Sequence, residues 1–291
     1  KHWITVNEPW CIALLGYGLG IHAPGHRNLD EALQVVHHTL LGHGMAMPVI
    51  RANAPDAEAG IGLNPAPIYP YGDSQEDLEA AQREDGIRNR IWLDPMAGRG
   101  YPEDIVEFFG ARWPEVGADD LAIIAAPTDF MGVNYYHPNY IEASNGAPFY
   151  YRTIDPPNLP KTDRGWIIEP SGLTEIVSRI NNDYGDVWKK QYIFENGAAY
   201  NDRLVDGAVD DRKRTRYIHG HLAALHKAIE VGVPVEGYFV WSSMDNFEWA
   251  EGFRLRFGLI YVDYETQERT VKHSGKWYAE VVSGNELVAP D

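Results

Sequence analysis

Gln191-Tyr192-Ile193-Phe194-Glu195-Asn196-Gly197 reads as a buried β-strand that ends on a carboxylate, since an apolar run leads into Glu195 and Asn-Gly then turns the chain. Trp3-Ile4-Thr5-Val6-Asn7-Glu8-Pro9 presents a second carboxylate in the same way, because Pro9 cannot continue a strand and leaves Glu8 at its terminus. Two glutamates held at strand ends, far apart in sequence, suggest an acid/base pair.

Outward from these two strands the chain alternates strand-like and helix-like segments. The Gly-rich stretch Gly16 to Gly25 predicts a long loop, and Asp30 is placed to cap a helix running to about Arg51, with Leu33, Val36, Leu40 and Leu41 at helical spacing. Ala59 to Asn64 reads as a strand, Ser74 opens a polar helix to about Arg90, and Glu103 to Phe109 forms a short one. A third buried strand covers Asp129 to Tyr136. Residues 140–170, rich in Pro, Gly, Asn and Asp, predict a long ordered loop at the rim of a binding site. Ser171 is placed to cap a helix through Ile180, and a longer helix from about Asp211 to Val231 should turn Tyr217, Leu222, Leu225 and Ile229 inward. Val235 to Ser242 is a further strand, and Ser274 begins a C-terminal helix.

This alternation implies a parallel sheet with right-handed crossovers. Five strand ends, near Glu8, Asn64, Asn134, Glu195 and Trp241, carry polar or aromatic groups, as on the catalytic face of a (β/α)8 TIM-type barrel. A doubly wound nucleotide-binding sheet is the alternative. It fits poorly, because Gly16-x-Gly18-x-Gly20 neither directly follows a strand nor opens a helix.

Composition narrows the function classes. The 291 residues, 44% of them hydrophobic, suffice for a sizeable core, and no linker or repeat divides them, so 1–291 is read as one domain. A formal charge of −17 argues against nucleic acid and anionic membrane surfaces as partners. No window has the length and apolarity of a membrane span. One cysteine, Cys11, excludes an intrachain disulfide and makes a reducing cytoplasm the default compartment. His22, His37 and His38 show no ligand spacing, and neither metal nor cofactor is expected. The 9 Trp and 17 Tyr would suit a pocket that stacks sugar rings.

Five motifs, in order and at suitable spacing over essentially the whole chain, resemble the signature segments of the family 1 glycoside hydrolases, the β-glucosidase family. They are Asn7-Glu8-Pro9, His22-Ala23-Pro24-Gly25, Gly132-Val133-Asn134-Tyr135-Tyr136, Glu195-Asn196-Gly197, and Gly237 through Trp249 followed by Arg256-Phe257-Gly258-Leu259. The resemblance implies a retaining β-glycosidase with Glu8 as acid/base and Glu195 as nucleophile, their carboxyls about 5–5.5 Å apart rather than the about 6.5–9.5 Å of an inverting enzyme. That division of labour requires Glu8 to hold a proton while Glu195 is ionised. It also implies that Asn7 bonds the sugar 2-hydroxyl, that Tyr136, with Asn134 nearby, orients the nucleophile, and that Trp241 is the stacking floor. Glu248 and Trp249 would bind hydroxyls at the far end of the sugar, and a glutamate at 248 argues for an unphosphorylated β-glycoside substrate.

Two departures from the family pattern stand out. Phe194 occupies a position where the family usually carries Thr or Ser, and strict alternation would point it away from Glu195. The match begins at the strand resembling the family's fourth, which predicts an incomplete barrel: about five of eight βα units, strands four to eight, a single partial catalytic domain lacking its N-terminal units. Those units would carry the family's glutamine and histidine sugar contacts and an arginine near the nucleophile. Unpaired sheet edges would favour self-association or a complementing N-terminal segment as partner. A weakly active sugar-binding or oligomeric remnant is therefore the competing expectation to a working hydrolase.

Overall fold

The computed structural model describes residues 1–290. In chain order its elements are β1 (His2–Asn7), α1 (Leu29–Asn53), β2 (Glu58–Leu63), β3 (Ile68–Pro70), α2 (Gln75–Asp85), α3 (Ile91–Met96), α4 (Glu103–Phe109), α5 (Asp120–Ile124), β4 (Phe130–Asn134), β5 (Asn139–Ala143), β6 (Tyr151–Ile154), α6 (Ser171–Tyr184), β7 (Gln191–Asn196), α7 (Arg212–Glu230), β8 (Val235–Val240), β9 (Ile260–Val262), β10 (Arg269–Val271) and α8 (His273–Gly284). Five strands form one parallel sheet in the order β1-β2-β4-β7-β8, so each strand neighbours the next in sequence and helices cross between them.

One face of this sheet packs on the helices. Ile61, Leu63, Met131, Val133 and Ile193 from the strands meet Leu33, Val36 and Leu40 of α1 and Leu173, Ile176, Val177 and Ile180 of α6 in one buried cluster. Gln191, polar at the start of β7, is accommodated there because its Nε2 donates to the Val177 carbonyl at 3.0 Å. On the other face the rings of Phe130, Tyr192, Phe194 and Phe239 lie against one another. A Cβ at Gly132 would overlap the Phe194 ring, so the large residue at 194 is accommodated by the absence of a side chain on the neighbouring strand.

Phe194 does not point away from Glu195 as alternation predicts. The β4–β7 register shifts between Val133 and Asn134, so that Asn134 pairs with Glu195. Phe194 and Glu195 both approach the face lined by Gly62 and Asn7: a Cβ at Gly62 would lie 3.5 Å from the Phe194 ring, while the Asn7 amide donates to Glu195. The edges of the sheet, β1 and β8, each pair with one neighbour, and Ile4 and Phe239 on them are 44% and 55% exposed.

Several local expectations are corrected. Asn28, not Asp30, caps α1, its side chain accepting from the N–H groups of Asp30 (3.0 Å) and Glu31 (3.3 Å). The loop expected from Gly16 to Gly25 starts later: Gly16 to Gly18 close a wide helical segment, Cys11–Gly18, with the Leu19 N–H reaching back five residues to the Leu14 carbonyl at 2.7 Å. The apolar run Ile12-Ala13-Leu14-Leu15 outweighs the glycines that follow it. Within 140–170, β5 and β6 pair antiparallel and join β3 in a second small sheet, a hairpin too short to rise above the surrounding Pro and Gly. Pro170, not Ser171, occupies the N-cap position of α6, which runs on to Tyr184. On α7, Tyr217 and Leu225 are buried as expected, but Ile229 is 45% exposed and Ile218 and Ala228 complete the buried face.

Candidate active site

A cavity of about 520 Å³ opens at the C-terminal ends of the five sheet strands, and all eight residues singled out from the sequence line it: Asn7, Glu8, Asn134, Tyr136, Glu195, Trp241, Glu248 and Trp249. A roomier open depression, about 690 Å³, lies against Val240–Asn246 and Arg269, but it shares only Trp241 with this cavity and has Asp245 as its one carboxylate.

Glu195-Asn196-Gly197 is built so that each residue does something different. Asn196 is fully buried and fastened: its Nδ2 donates to the Tyr135 carbonyl (2.7 Å) and to the Tyr217 hydroxyl (3.2 Å), and its Oδ1 accepts from Tyr238 (2.6 Å). Gly197 admits the Trp241 carbonyl into space that a Cβ would occupy. Between a fastened strand and this close approach, the Glu195 side chain is left to face the cavity. Its Oε2 accepts from the Tyr136 hydroxyl at 2.7 Å and its Oε1 from Asn7 Nδ2 at 3.2 Å.

Glu8 follows β1 with φ +48°, a left-handed conformation that costs a non-glycine residue on the order of 1–3 kcal/mol and persists only where its surroundings fix it. Its N–H donates to the Gly62 carbonyl at 2.8 Å. Its Oε1 accepts from Asn134 Nδ2 at 2.9 Å, and its Oε2 from the Cys11 thiol at 3.0 Å. Asn134 Nδ2 also lies 3.1 Å from Asn7 Oδ1, so a continuous path of side-chain amides, Asn134 to Asn7, links the two carboxylates. The buried Oδ1 of Asn134 has no partner among the described residues.

Cys11 was not singled out as a site residue, although its spacing of three from Glu8 was the available signal. Asn64 Nδ2 donates to its sulfur at 3.3 Å. Burial, and then the Glu8 charge beside it, push the thiol far above its ordinary pKa, so it remains a donor. Arg88, also unremarked in the sequence, lines the cavity with its guanidinium 3.9 Å above the Trp10 ring.

At the other end, Trp241 Nε1 donates to Glu248 Oε2 at 3.1 Å, and burial raises the Glu248 carboxyl above its usual value. Trp249 sits at the rim, 69% exposed. Burial and then the charge of Glu8 push the Glu195 carboxyl up to about 7, against the pull of the Tyr136 and Asn7 donors. The sense is opposite to the ionised nucleophile expected. The physical reason is that burial and the charges of two carboxylates, Glu8 and Glu248, outweigh the two donors.

Among the described residues no group of three or more His, Cys, Asp and Glu could hold a metal ion, and no helix is long and apolar enough to cross a membrane. His37 is engaged by the Tyr101 hydroxyl (2.9 Å) and Asp120 (3.0 Å).

Comparison with known proteins agrees with the geometry. The model of glycosyl hydrolase family 1 matches residues 1–287. The chain is 41% identical over 289 residues to β-glucosidase A of Thermotoga maritima, covering 99% of this chain and 64% of that protein. It is 43% identical over 284 residues to a β-glucosidase of an Agrobacterium species, covering 96% of this chain and 61% of that protein. Among solved structures, the T. maritima β-glucosidase in complex with deoxynojirimycin superposes with a TM-score of 0.92 at 39% identity, covering 98% of this chain and 64% of that one. The chain thus spans less than two thirds of the length of the curated relatives it matches.

Proposed function

Because the chain belongs to glycosyl hydrolase family 1, we propose that it carries the reacting carboxylates of a retaining β-glycosidase acting on β-glucosides or related unphosphorylated β-glycosides. The observation that carries this reading is the pair Glu8 and Glu195 in one cavity, each held by two side-chain donors and joined through Asn134 and Asn7.

In the first displacement a Glu195 oxygen bonds the anomeric carbon, the bond to the leaving oxygen breaks, and Glu8 gives its proton to that oxygen. In the second, Glu8 takes a proton from water as the water oxygen bonds the anomeric carbon and Glu195 departs. Tyr136 and Asn7 then reclaim the carboxylate they bonded before the reaction. Asn7 is also placed to meet the sugar 2-hydroxyl, and the partnerless Asn134 Oδ1 could accept from a hydroxyl. Trp241 offers its ring to the sugar's CH-rich face, with Glu248 and Trp249 at the far end. A Glu248 carboxylate, already bonded by Trp241, would repel a phosphorylated sugar there.

Full activity needs a completed (β/α)8 barrel, of which this chain supplies about five βα units in one domain. The support is electrostatic: burial and the charges of Glu8 and Glu248 hold the proton on Glu195 to about pH 7, and the family resemblance assigns to the N-terminal units an arginine that would oppose this. A second reading, a weakly active sugar-binding or self-associating remnant, is favoured by that same carboxyl and by the exposed Ile4 and Phe239 on the two singly paired edge strands. Hydrolysis of 4-nitrophenyl β-D-glucoside by this chain, lost in Glu195→Ala, decides for the hydrolase. Sugar binding without turnover decides for the remnant.

A further inference from the structure

Behind the cavity lies a buried cluster of charges that the reaction does not use. Lys272 Nζ is 2.6 Å from Asp202 Oδ2 and 2.7 Å from Asp245 Oδ1, and the Lys272 and Asp245 side chains are fully buried. Arg214 Nη2 is 2.7 Å from Asp202 Oδ2, and Arg214 also pairs with Asp211. Arg256 Nη1 reaches Asp245 Oδ2 at 2.6 Å. Three cations thus face three carboxylates, and the cluster is neutral as a whole. Burial pulls the Lys272 ammonium below its ordinary pKa, and the two carboxylates work against that shift.

The members come from different segments, and these segments carry the site. Arg214 Nε donates to the Ala198 carbonyl at 3.2 Å, three residues past Glu195, and Asp202 lies on the same stretch after β7. Asp245 lies between Trp241 and Glu248, where it also accepts from the backbone N–H groups of Gly258 (3.0 Å) and Val262 (3.4 Å). Lys272, at the start of α8, therefore joins a carboxylate on the segment that follows the nucleophile to one on the segment that holds the stacking and hydroxyl-binding residues.

We propose that the Asp245–Lys272–Asp202 bridge is a positioning device for the sugar site: through Lys272 it ties the Trp241–Trp249 segment to the segment after β7 and so sets the gap between Glu195 and Glu248. The proposal rests on the glycosidase reading above. Charge balance alone would stabilise the fold without requiring the bridge to span these two segments; here a shift of one segment against the other would move Glu248 away from a sugar held at Glu195.

Lys272→Met alone leaves one buried carboxylate uncompensated and threatens the fold, so the test is the neutral pair Lys272→Met/Asp245→Asn, which removes one charge of each sign. Near-UV circular dichroism checks that the variant is folded, and titration with 1-deoxynojirimycin at 25 °C, followed by tryptophan fluorescence, reads the site. Glu248→Gln serves as the reference for a lost sugar contact, and Arg212→Ala, which breaks the exposed Arg212–Asp210 pair, as the control. The expected result is binding weakened by about tenfold or more in the paired variant and by less than about twofold in Arg212→Ala. A folded paired variant that binds within about twofold of the unsubstituted chain overturns the positioning role and leaves the sugar site standing. Failure of the paired variant to fold also overturns it, since the bridge is then needed for the fold itself. No binding by the unsubstituted chain overturns the sugar-site reading and the positioning role with it.

Discussion

Replacing Glu195 by glutamine should stabilise the folded chain at neutral pH and not in acid. Burial and the charge of Glu8 raise the Glu195 carboxyl from 4.5 to about 7 in the folded protein. The folded state then binds this proton more tightly than the unfolded chain does. Its contribution to stability is fully present below pH 4.5 and is lost as the pH rises through about 7. A rise of that size corresponds to about 3 kcal/mol. Glutamine binds no such proton in either state. It keeps an acceptor for Tyr136, but it sets its amide against the Asn7 amide, costing about 1 kcal/mol at every pH. The variant should therefore be more stable than the parent by about 2 kcal/mol at pH 8 and less stable by about 1 kcal/mol at pH 4.5, a crossover readable from urea unfolding curves. A stability difference that stays constant between those pH values would refute the account of Glu195 as a carboxyl raised by burial and by neighbouring carboxylates.

Three further outcomes follow from the packing. Gly132→Ala should destabilise by about 1–3 kcal/mol because its methyl group meets the Phe194 ring, and Phe194→Thr in the same chain should recover most of that loss in thermal unfolding. Cys11→Val removes a donor from Glu8 and should lower kcat/KM for an aryl β-glucoside by about tenfold, whereas Cys11→Ser, which keeps a donor, should stay within about threefold. Gel filtration should give a mass above that of one chain, and Ile4→Lys/Phe239→Lys should move the peak to a single chain, since these exposed apolar residues lie on the two edge strands.

The strands and the reacting groups were legible in the sequence because strand, carboxylate and turn occur in one short window, as at Phe194-Glu195-Asn196-Gly197 and Val6-Asn7-Glu8-Pro9. All eight selected side chains do meet at one cavity. What could not be read depends on register and on neighbours distant in sequence. The shift that brings Phe194 to the Glu195 side arises between β4 and β7, and the β5–β6 hairpin is held by pairing with β3, more than 65 residues before its turn. The Cys11–Asn64 bond joins residues 53 apart. Spacing can announce a carboxylate, but its protonation is set by whatever else is buried with it. That is why Glu195 was expected ionised and is instead raised.

The most direct measurement is covalent trapping with 2,4-dinitrophenyl 2-deoxy-2-fluoro-β-D-glucoside, read by peptide mass spectrometry. Its leaving group departs without a proton from Glu8, so only the nucleophile and the sugar contacts are tested. Glu195 as nucleophile predicts one glycosyl adduct per chain, on the peptide containing Glu195, forming faster as the pH rises through about 7. An adduct on another carboxylate, or none at pH 8, would contradict it.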